Sequence, residues 1–432
     1  MRTGDGSLCR PAVRARRRPC RFFDQAILGD FGARRFPPAA ETAHWVGRAP
    51  SNRWALPDRP PDDQAVAVPT LPDHKNPADP SGGRGLSLAP DEFAPEVIYL
   101  NTASLGLPPR SALGALSEAT RAWTAGTASP HDYDVAVSAA RTAYAGLVGV
   151  PPSDVAVGSQ VSVFAGMVAS SLTAGSEVLT VAGEFTSMVF PFLAQHSRSI
   201  TVRSVPLEQL AASVTANTAL VAVSAVQSAD GRVTDLDALT AVCASTGTKV
   251  LLDTTQAVGW LPVDAGRFAY TCCGGYKWLL APRGTCFLTV SPEFQDDLIP
   301  SGAGWYAGDS PWDSIYGPMS LAPDARRFDL SPAWHSWVGQ AAALKLLAGI
   351  GTDALHAHAL QLADRFRAGV DLSPGNSAIV SFAVSPAAME RLASARIAGS
   401  VRAGRLRLAF HLYNTLADVD ATIQAITGPT GG

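Results

Sequence analysis

The sequence predicts an α/β fold in which a mainly parallel sheet of seven strands carries helices on both faces. From about Glu96 onward, short runs rich in β-branched residues alternate with amphipathic segments, a pattern typical of parallel strands joined by helices. The 432 residues are 47% hydrophobic and only 16% charged, which is enough apolar material for a large core. A chain of this length is expected to form one large domain and a smaller one.

Seven segments have the length and composition of buried strands. In chain order they read DVAVG, EVLTVA, SITVRSV, ALVAVSAV, KVLLD, FAYTCC and TCFLTV. Segments 207–214 and 235–245 between them are expected to be helices that serve as right-handed crossovers. The uncharged run 155–176 is long enough to span a bilayer, but its small polar residues, GSQVS among them, favour a loop followed by a buried helix.

Two further parts flank the large domain, which we expect to cover residues 89–350. The first 88 residues hold 12 of the 32 prolines and a local charge of +5, so we expect a disordered arm. We favour a solvated tail or a start of translation placed too early over a basic segment that touches nucleic acid or a membrane, because charged runs are usually solvated. Residues 351–432 predict a small C-terminal α+β domain, near which residues 89–128 are expected to pack.

The overall charge and the cysteines exclude several classes of partner. A net charge of −3 gives no reason to expect nucleic acid or a membrane as the main partner. The six cysteines, at positions 9, 20, 243, 272, 273 and 286, have neither the pattern of a disulfide framework nor the paired spacing of a zinc site. We therefore expect no metal, and a cytoplasmic location, since the basic N-terminal segment lacks a signal-peptide core.

One lysine is a candidate catalytic residue. Arginine outnumbers lysine 30 to 4, and the other three lysines lie in the arm (Lys75), at the start of a strand (Lys249) and in an apolar helix (Lys345). Lys277 instead follows a strand, in TCCGGYKWLLAPRGTCFL, at the carboxyl end where open α/β sheets hold ligands. Burial beside aromatic residues lowers the pKa of such an amine and makes it nucleophilic, as an imine with pyridoxal phosphate requires.

A carboxylate at a neighbouring strand end supports this interpretation. The strand KVLLD ends in Asp253, where a carboxylate can keep the pyridine nitrogen of the cofactor protonated or simply cap the following turn. Gln256, three residues further on, could reach the phenolic oxygen of the cofactor.

An anion-binding turn and an aromatic residue are expected at the same edge of the sheet. The strand DVAVG leads through Ser159 and Gln160 into a helix, so the backbone amides there can bind a phosphate or form an ordinary N-cap. Phe185 follows the next strand and can either stack on a flat cofactor ring or belong to the core.

Taken together, these motifs resemble the class V aminotransferase family of pyridoxal-phosphate enzymes with fold type I, over about residues 99–427. In chain order the motifs are YLNTASLGLPP, GSQVS, GEFTSM, AVQSADG, DTTQAVG, GYKWLLAPRGTCFL, RRFDLSP and RLRLAFHLYNTLADVD. The segments YLNTAS, KWLLAP and HLYNT are most similar to isopenicillin-N-epimerase-like members. The stretch CCGGYK is similar to kynureninases, which also carry Tyr before Lys.

The resemblance implies roles for residues by position. Lys277 would form the imine with pyridoxal phosphate and Asp253 would pair with the pyridine nitrogen, so these two are the predicted catalytic residues. Arg407 would bind the substrate carboxylate with its planar fork, unless it is a surface arginine on an edge strand. The other predicted cofactor contacts are Gln256 at the phenolic oxygen, Phe185 on the ring, Gln160, Val161, Ser162 and Tyr276 at the phosphate, and Ser228. The family also implies a homodimer with active sites at the interface.

The resemblance further implies an enzyme that acts at the α-carbon of an amino acid. Lys277 would remove the α-proton, and the fate of that proton would decide between transamination, epimerisation and elimination. We expect an aminotransferase; the alternatives are an isopenicillin-N-epimerase-like epimerase or a kynureninase-like lyase, and then a non-catalytic relative. Persulfide chemistry is not expected, because ARIAGSVRAGRLRL lacks the cysteine that desulfurases carry shortly before the carboxylate-binding arginine.

Overall fold

The computed structural model describes residues 87–313 and 315–428, so residues 1–86 of the expected arm lie outside it. Within these ranges the strands are β1 (Ile98–Tyr99), β2 (Val155–Gly158), β3 (Glu177–Val181), β4 (Thr201–Val205), β5 (Thr218–Ser224), β6 (Lys249–Asp253), β7 (Tyr270–Gly274), β8 (Cys286–Val290), β9 (Ile379–Phe382), β10 (Ile397–Ala398), β11 (Ser400–Arg402) and β12 (Arg405–Ala409). The α-helices of the same ranges are α1 (Arg110–Thr124), α2 (Pro130–Leu147), α3 (Val161–Ser171), α4 (Thr186–Leu193), α5 (Leu236–Thr246), α6 (Trp334–Ile350), α7 (Thr352–Gly369), α8 (Pro386–Ser394) and α9 (Leu416–Thr427).

The central sheet contains the seven predicted strands in the order β2-β8-β7-β6-β5-β3-β4. Strands β7, β6, β5, β3 and β4 run parallel, whereas β8 is antiparallel to both of its neighbours. The prediction of a mainly parallel seven-stranded sheet is therefore confirmed. β2, which is antiparallel to β8, runs in the same direction as these five strands, so all six end at one edge of the sheet, where the connections that follow them can meet.

Both faces of the sheet are buried by helices. Successive side chains of β5 alternate between two cores: Val221 and Val223 belong to one, Leu220 and Ala222 to the other, because side chains alternate across a strand. On the first face Phe287 stacks on Tyr144 of α2 at 4.1 Å and meets Trp337 of α6 edge-on. The second core includes aromatic side chains of α3 and α4. Burial on both faces explains why the strands read as continuous apolar runs.

Short polar residues define several helix ends. Ser129 and Asp132 form a capping box at the start of α2, with Pro130 in the first turn. The Asp235 side chain accepts a hydrogen bond from Ala238 N at the start of α5. Gly247, at φ +71°, ends that helix in the left-handed conformation that glycine adopts readily. The helix expected over 235–245 is thus present.

The expectation of a helix over residues 207–214 is wrong. These residues form two short 3₁₀ turns, Leu207–Gln209 and Ala211–Ser213, which begin directly after Pro206. Eight residues are too few for an α-helix to be stable without an apolar face that packs along its whole length. In this segment only Leu210 and Val214 are buried.

The C-terminal residues form a three-stranded antiparallel sheet, in the order β11-β12-β9, with α7, α8 and α9. The chain before α1 is in contact with this part: β1 pairs in parallel with β10, and Leu88 N donates to Leu412 O at 2.8 Å. We retain the division into residues 89–350 and 351–432 as a proposal. Gly351, at φ +88°, separates α6 from α7 at that boundary. Within the described ranges no helix is both long and apolar enough to cross a membrane.

Candidate active site

A cavity lies at the carboxyl edge of the parallel strands, and most of the predicted site residues line it. Seven of the ten do so: Gln160, Val161, Ser162, Phe185, Asp253, Tyr276 and Lys277. They come from the ends of β2, β3, β6 and β7, which are far apart in sequence and are brought to the same edge of one sheet. The remaining three, Ser228, Gln256 and Arg407, form a connected group that is described below.

Lys277 is buried, with 6% of its surface exposed. Its Nζ lies 5.4 Å from the centroid of the Phe185 ring and 5.6 Å from that of Tyr276. Burial lowers the pKa of Lys277 to about 8; the charge of Asp253 acts in the opposite direction, and that of Arg407 lowers it further. The amine is therefore neutral in a sizeable fraction near neutral pH, as a nucleophile or proton acceptor must be.

The loop that carries Lys277 is held by close backbone contacts. A Cβ at Gly106 would lie 2.0 Å from the carbonyl oxygen of Lys277, so only glycine fits at this position. Gly106 N donates to Tyr276 O at 2.9 Å, and His411 Nε2 lies 3.0 Å from Trp278 O. The residues on both sides of the lysine are thus fixed by the N-terminal segment and by the chain that follows β12.

Asp253 is buried at the end of β6 and faces the same cavity as Lys277. Its Oδ1 accepts a hydrogen bond from Thr255 N at 2.8 Å, so the turn-capping interpretation is correct as well and does not exclude a role in the site. Burial raises the pKa of Asp253, while Thr255 and the charge of Lys277 act against this rise. A carboxylate in this place is stabilised when a cation lies beside it.

The start of α3 supplies backbone amides to the cavity. Gln160 is the N-cap residue, and its side chain makes no capping hydrogen bond, so the ordinary N-cap interpretation is not supported. The first amides of α3 and the hydroxyl of Ser162 are left at the cavity, where an anion would be stabilised. Tyr276 lines the same region, and the Arg283 guanidinium lies 4.9 Å from the centroid of its ring.

Phe185 presents its ring to the cavity rather than to the core, with 43% of its surface exposed. The preceding residue, Glu184, is buried and accepts hydrogen bonds from Ser224 N, Ser224 Oγ and Gln227 Nε2. Its Oε1 also accepts from Phe185 N at 2.7 Å. This carboxylate therefore fixes the turn that orients the aromatic ring.

Gln256 and Ser228 belong to a network beside the cavity. Gln256 Nε2 donates to Ala103 O at 2.9 Å and to Ser228 Oγ at 3.1 Å, and its Oε1 accepts from Trp278 Nε1 at 2.8 Å. The side-chain amide is thus engaged by the protein, and it connects the lysine loop to the N-terminal segment. Its contact with a cofactor oxygen, like that of Ser228, stays a prediction.

Arg407 is buried, with 2% of its surface exposed, on β12, the middle strand of its sheet. The alternative of a surface arginine on an edge strand is therefore wrong. Its guanidinium donates to Ser228 O and Ser228 Oγ and, through Nη2, to Ser104 Oγ at 2.8 Å. This places a planar cation next to the cavity of Lys277, whose pKa it lowers.

Five further cavity residues were not predicted from the sequence: Ser187, Thr255, Gly274, Arg283 and Thr285. Thr255 links the ends of β6 and β7, since its Oγ1 accepts from Gly274 N at 2.9 Å. Arg283 and Thr285 lie in the segment PRGT, which returns to the cavity after the lysine. The proline and glycine in that segment are a turn signal that could have indicated this return.

The residues present fit pyridoxal phosphate. A buried amine of lowered pKa suits the aldehyde, an exposed aromatic face suits the ring, Asp253 suits a protonated nitrogen, and uncapped helix amides suit a phosphate. Cys272 and Cys273 are fully buried in β7, and burial raises the pKa of Cys273 to about 12, so they are poor nucleophiles. In the described part of the chain no group of three or more His, Cys, Asp and Glu could hold a metal ion.

Comparison with known proteins gives the family. The family model for class V aminotransferases matches residues 131–422. The uncharacterized aminotransferase YcbU of Bacillus subtilis is 30% identical over 67% of this chain and 83% of its own. The isopenicillin N epimerase of Streptomyces clavuligerus is 28% identical over 78% of this chain and 96% of its own. The kynureninase of Deinococcus radiodurans is 29% identical over 63% and 70%.

A solved structure confirms the fold. The cystine C-S lyase C-DES, in complex with its reaction product cysteine persulfide, matches with a TM-score of 0.71 over 77% of this chain and 98% of that one, at 23% identity. The expected fold type I is thereby confirmed, and the family match supports pyridoxal phosphate as the cofactor. As its motifs indicated, the chain belongs to the class V aminotransferase family.

Proposed function

We propose that this protein is a pyridoxal-phosphate-dependent aminotransferase that acts on an α-amino acid. The observation that carries the proposal is the convergence of an amine, a carboxylate and a guanidinium. Lys277 and Asp253 line one cavity, and the charges of Asp253 and Arg407 both act on the Lys277 amine. These are the groups that reaction at an α-carbon needs: a base, an anion behind the cofactor ring and a cation for the α-carboxylate.

Each residue of the site has a separate role in this proposal. Pyridoxal phosphate, when bound, supplies an electron sink for the α-carbon. Asp253 would hold the pyridine nitrogen protonated, Phe185 would cover the ring, and the first amides of α3 with Tyr276 would hold the phosphate. Arg407 binds the substrate carboxylate in a bidentate manner and so orients the α-hydrogen toward Lys277. Lys277, which is half neutral at its pKa of about 8, takes that proton at Nζ.

Transamination requires that the proton return to an atom other than the one it left. A single amine on a buried, four-carbon side chain can serve both positions, and the relative YcbU is named an aminotransferase. Epimerisation is the alternative, because the match to isopenicillin N epimerase covers 96% of that enzyme. We also propose a homodimer in the cytoplasm, in keeping with the family resemblance.

Product analysis without an amino acceptor tests the proposal. We expect purified protein with pyridoxal phosphate to form about one equivalent of 2-oxo acid per site from a suitable amino acid and then to stop. An amino acid of inverted configuration would support the epimerase instead, and a cleaved side chain would support a lyase. The absence of any spectral change with all amino acids would indicate a non-catalytic relative.

A matched pair of lysine variants assigns the amine. Lys277→Ala should lose the visible absorbance of the lysine-bound cofactor and all turnover. Lys345→Ala, which removes an exposed lysine on α6, should retain both. An unchanged band in Lys277→Ala would show that another residue binds the cofactor.

A further inference from the structure

Two arginines of the β11–β12 hairpin converge on one hydroxyl beside the active site. Arg407 Nη2 donates to Ser104 Oγ at 2.8 Å, and Arg402 Nη2 donates to the same oxygen at 3.4 Å. The two nitrogens are therefore no further apart than the sum of these distances, 6.2 Å. Ser104 lies in the N-terminal segment whose Ala103 carbonyl accepts from Gln256.

Arg402 is half-buried, and its described partners carry no formal negative charge. Besides Ser104 it donates to the carbonyl oxygen of Val401. Among the described residues no carboxylate lies within 4.0 Å of its guanidinium, whereas Arg203, Arg232 and Arg365 each have one. A cation held in a partly desolvated place without an anion is costly unless a ligand supplies the anion.

The position of Arg402 relative to the reacting amine is consistent with a substrate contact. The charges of both Arg407 and Arg402 lower the pKa of Lys277, so both guanidinium groups act on the amine that takes the α-proton. The carboxylates of the site have other partners: Asp253 faces the cavity of Lys277, and Glu184 accepts hydrogen bonds from Phe185, Ser224 and Gln227. The Arg402 guanidinium can therefore bind an anionic group of a ligand.

We propose that Arg402 binds a second anionic group of the substrate, so that the enzyme selects α-amino acids with a short acidic side chain. This inference rests on the proposed function, since it takes Arg407 as the site of the α-carboxylate. The two carboxyl carbons of aspartate or glutamate lie roughly 4–5 Å apart, as carbon–carbon bonds of about 1.5 Å dictate. That span falls within the upper limit of 6.2 Å on the separation of the two donor nitrogens.

Binding of acidic and amide amino acids to the holoenzyme tests the proposal. We would titrate the protein with L-aspartate, L-glutamate, L-asparagine and L-glutamine and obtain each Kd from the change in visible absorbance. The wild type should bind the acids at least tenfold more tightly than their amides. Arg402→Gln should lose this preference through weaker binding of the acids, with the amides unchanged. Arg402→Lys, which keeps the charge but not the fork, should retain part of it.

A neighbouring arginine provides the matched control. Arg405 is the register partner of Arg402 in the hairpin, but it is exposed and donates to Ser381 O. Arg405→Gln removes the same charge and should retain the preference for acids. The Tm of each variant, measured in parallel, should stay within a few degrees of the wild-type value. If both glutamine variants unfold at a much lower temperature, the preference for acids is tested with Arg402→Lys instead.

Three results would overturn the inference. Equal weakening of acids and amides in Arg402→Gln would place this arginine at the α-carboxylate. Loss of the preference in Arg283→Gln rather than Arg402→Gln would place the second anion beside Arg283, which lines the cavity of Lys277. A wild type that binds amides as tightly as acids would refute acidic selectivity while leaving the proposed function intact. If no amino acid changes the spectrum, the proposed function fails first and the inference fails with it.

Discussion

Asp253 and Lys277 reach one cavity from the ends of two neighbouring parallel strands. Asp253 is the last residue of β6 and lies opposite Cys272 of β7, and Lys277 follows three residues after β7 ends at Gly274. The carboxylate opposes the loss of charge that burial imposes on the amine, and the pKa of Lys277 settles at about 8. This balance leads to two predictions about the chemistry.

The first prediction is that the apoprotein binds pyridoxal phosphate in a pH-dependent manner set by Lys277. With a pKa of about 8, roughly 10% of the amine is neutral at pH 7, against about 0.03% for an unshifted lysine. The rate of cofactor binding, followed by visible absorbance, should rise nearly tenfold per pH unit up to about pH 7, more slowly between pH 7 and 8, and then level off.

The reaction of pyridoxal phosphate with Nα-acetyl-lysine, measured in parallel, corrects for the titration of the cofactor itself. A protein rate that continues to rise to pH 10 after this correction would mean that the amine is solvated. Burial would then not be the cause that sets the pKa of Lys277.

The second prediction concerns the charge of Asp253. Asp253→Asn keeps an oxygen that can accept from Thr255 N, so the fold and cofactor binding should survive. Without the anion the pyridine nitrogen is no longer held protonated, and the single-turnover rate should fall by on the order of 100-fold or more. Asp264→Asn is the control, because Asp264 caps a similar turn by accepting from Gly266 N away from the site, and its rate should be unchanged.

The central sheet could be predicted from the sequence because its strands are buried on both faces. ALVAVSAV is apolar at nearly every position and KVLLD at its three central ones, so both could be recognised as strands without knowledge of their neighbours. Lys277 was also recognisable, since a lysine directly after a buried strand is unusual in a chain with so few lysines. The order of the motifs, which resembles that of the family, then indicated Asp253 and Arg407 as further residues of the same site.

Other features depend on tertiary packing that no local pattern encodes. Segment 207–214 has helical composition, yet it lies directly after Pro206 and forms only short turns. Arg402 looks like any surface arginine in ARIAGSVRAGRLRL until the hairpin brings it to Ser104, 298 positions earlier in the chain. The engagement of Gln256 by Ala103 and Trp278 likewise joins segments that are distant in sequence.

The third prediction concerns the glycine that contacts the lysine loop. Gly106→Ala would place a Cβ 2.0 Å from the Lys277 carbonyl oxygen, so the backbone must shift, at a cost of about 1–3 kcal/mol. We expect a lower urea midpoint and a weaker visible band of the bound cofactor. Gly114→Ala on α1, where a Cβ meets nothing within 4 Å, should be neutral or stabilising by up to ~1 kcal/mol. Equal effects of the two changes would contradict the close approach.

The fourth prediction concerns the buried ion pair that anchors β2, the strand that leads through Ser159 and Gln160 into α3. Arg141 Nη2 lies 2.6 Å from Asp329 Oδ2, and Asp329 Oδ1 accepts from Val157 N at 2.8 Å. Asp329→Asn would leave the Arg141 charge buried, and unfolding free energy should fall by about 3–5 kcal/mol. Asp420→Asn breaks the exposed pair with Arg365 and should cost under about 1 kcal/mol. Urea denaturation of both variants tests this prediction. Similar midpoints would mean that water reaches the pair of Arg141 and Asp329.

The fifth prediction is a loss of stability in mildly acidic solution, caused by His411. This imidazole is fully buried against Trp278 O, and burial lowers its pKa to about 3. Because the folded-state pKa lies below the unfolded value of about 6.5, the unfolded chain binds the proton more readily. The contribution to stability is therefore complete above pH 6.5 and is lost progressively as the pH falls toward 3. His358, which faces His411 and whose pKa burial also lowers, acts in the same direction.

Urea denaturation of the apoprotein at pH 7 and pH 5 measures this effect. The wild type should lose on the order of 2 kcal/mol over this interval through His411, whereas His411→Gln, which can still donate to Trp278 O, should lose clearly less. The carboxylates are the same in the wild type and in His411→Gln, so the difference between the two proteins reports on the histidine. His196→Gln, at an exposed position, should follow the wild type. An identical pH dependence in His411→Gln would show that this histidine is already protonated, or solvated, in the folded protein.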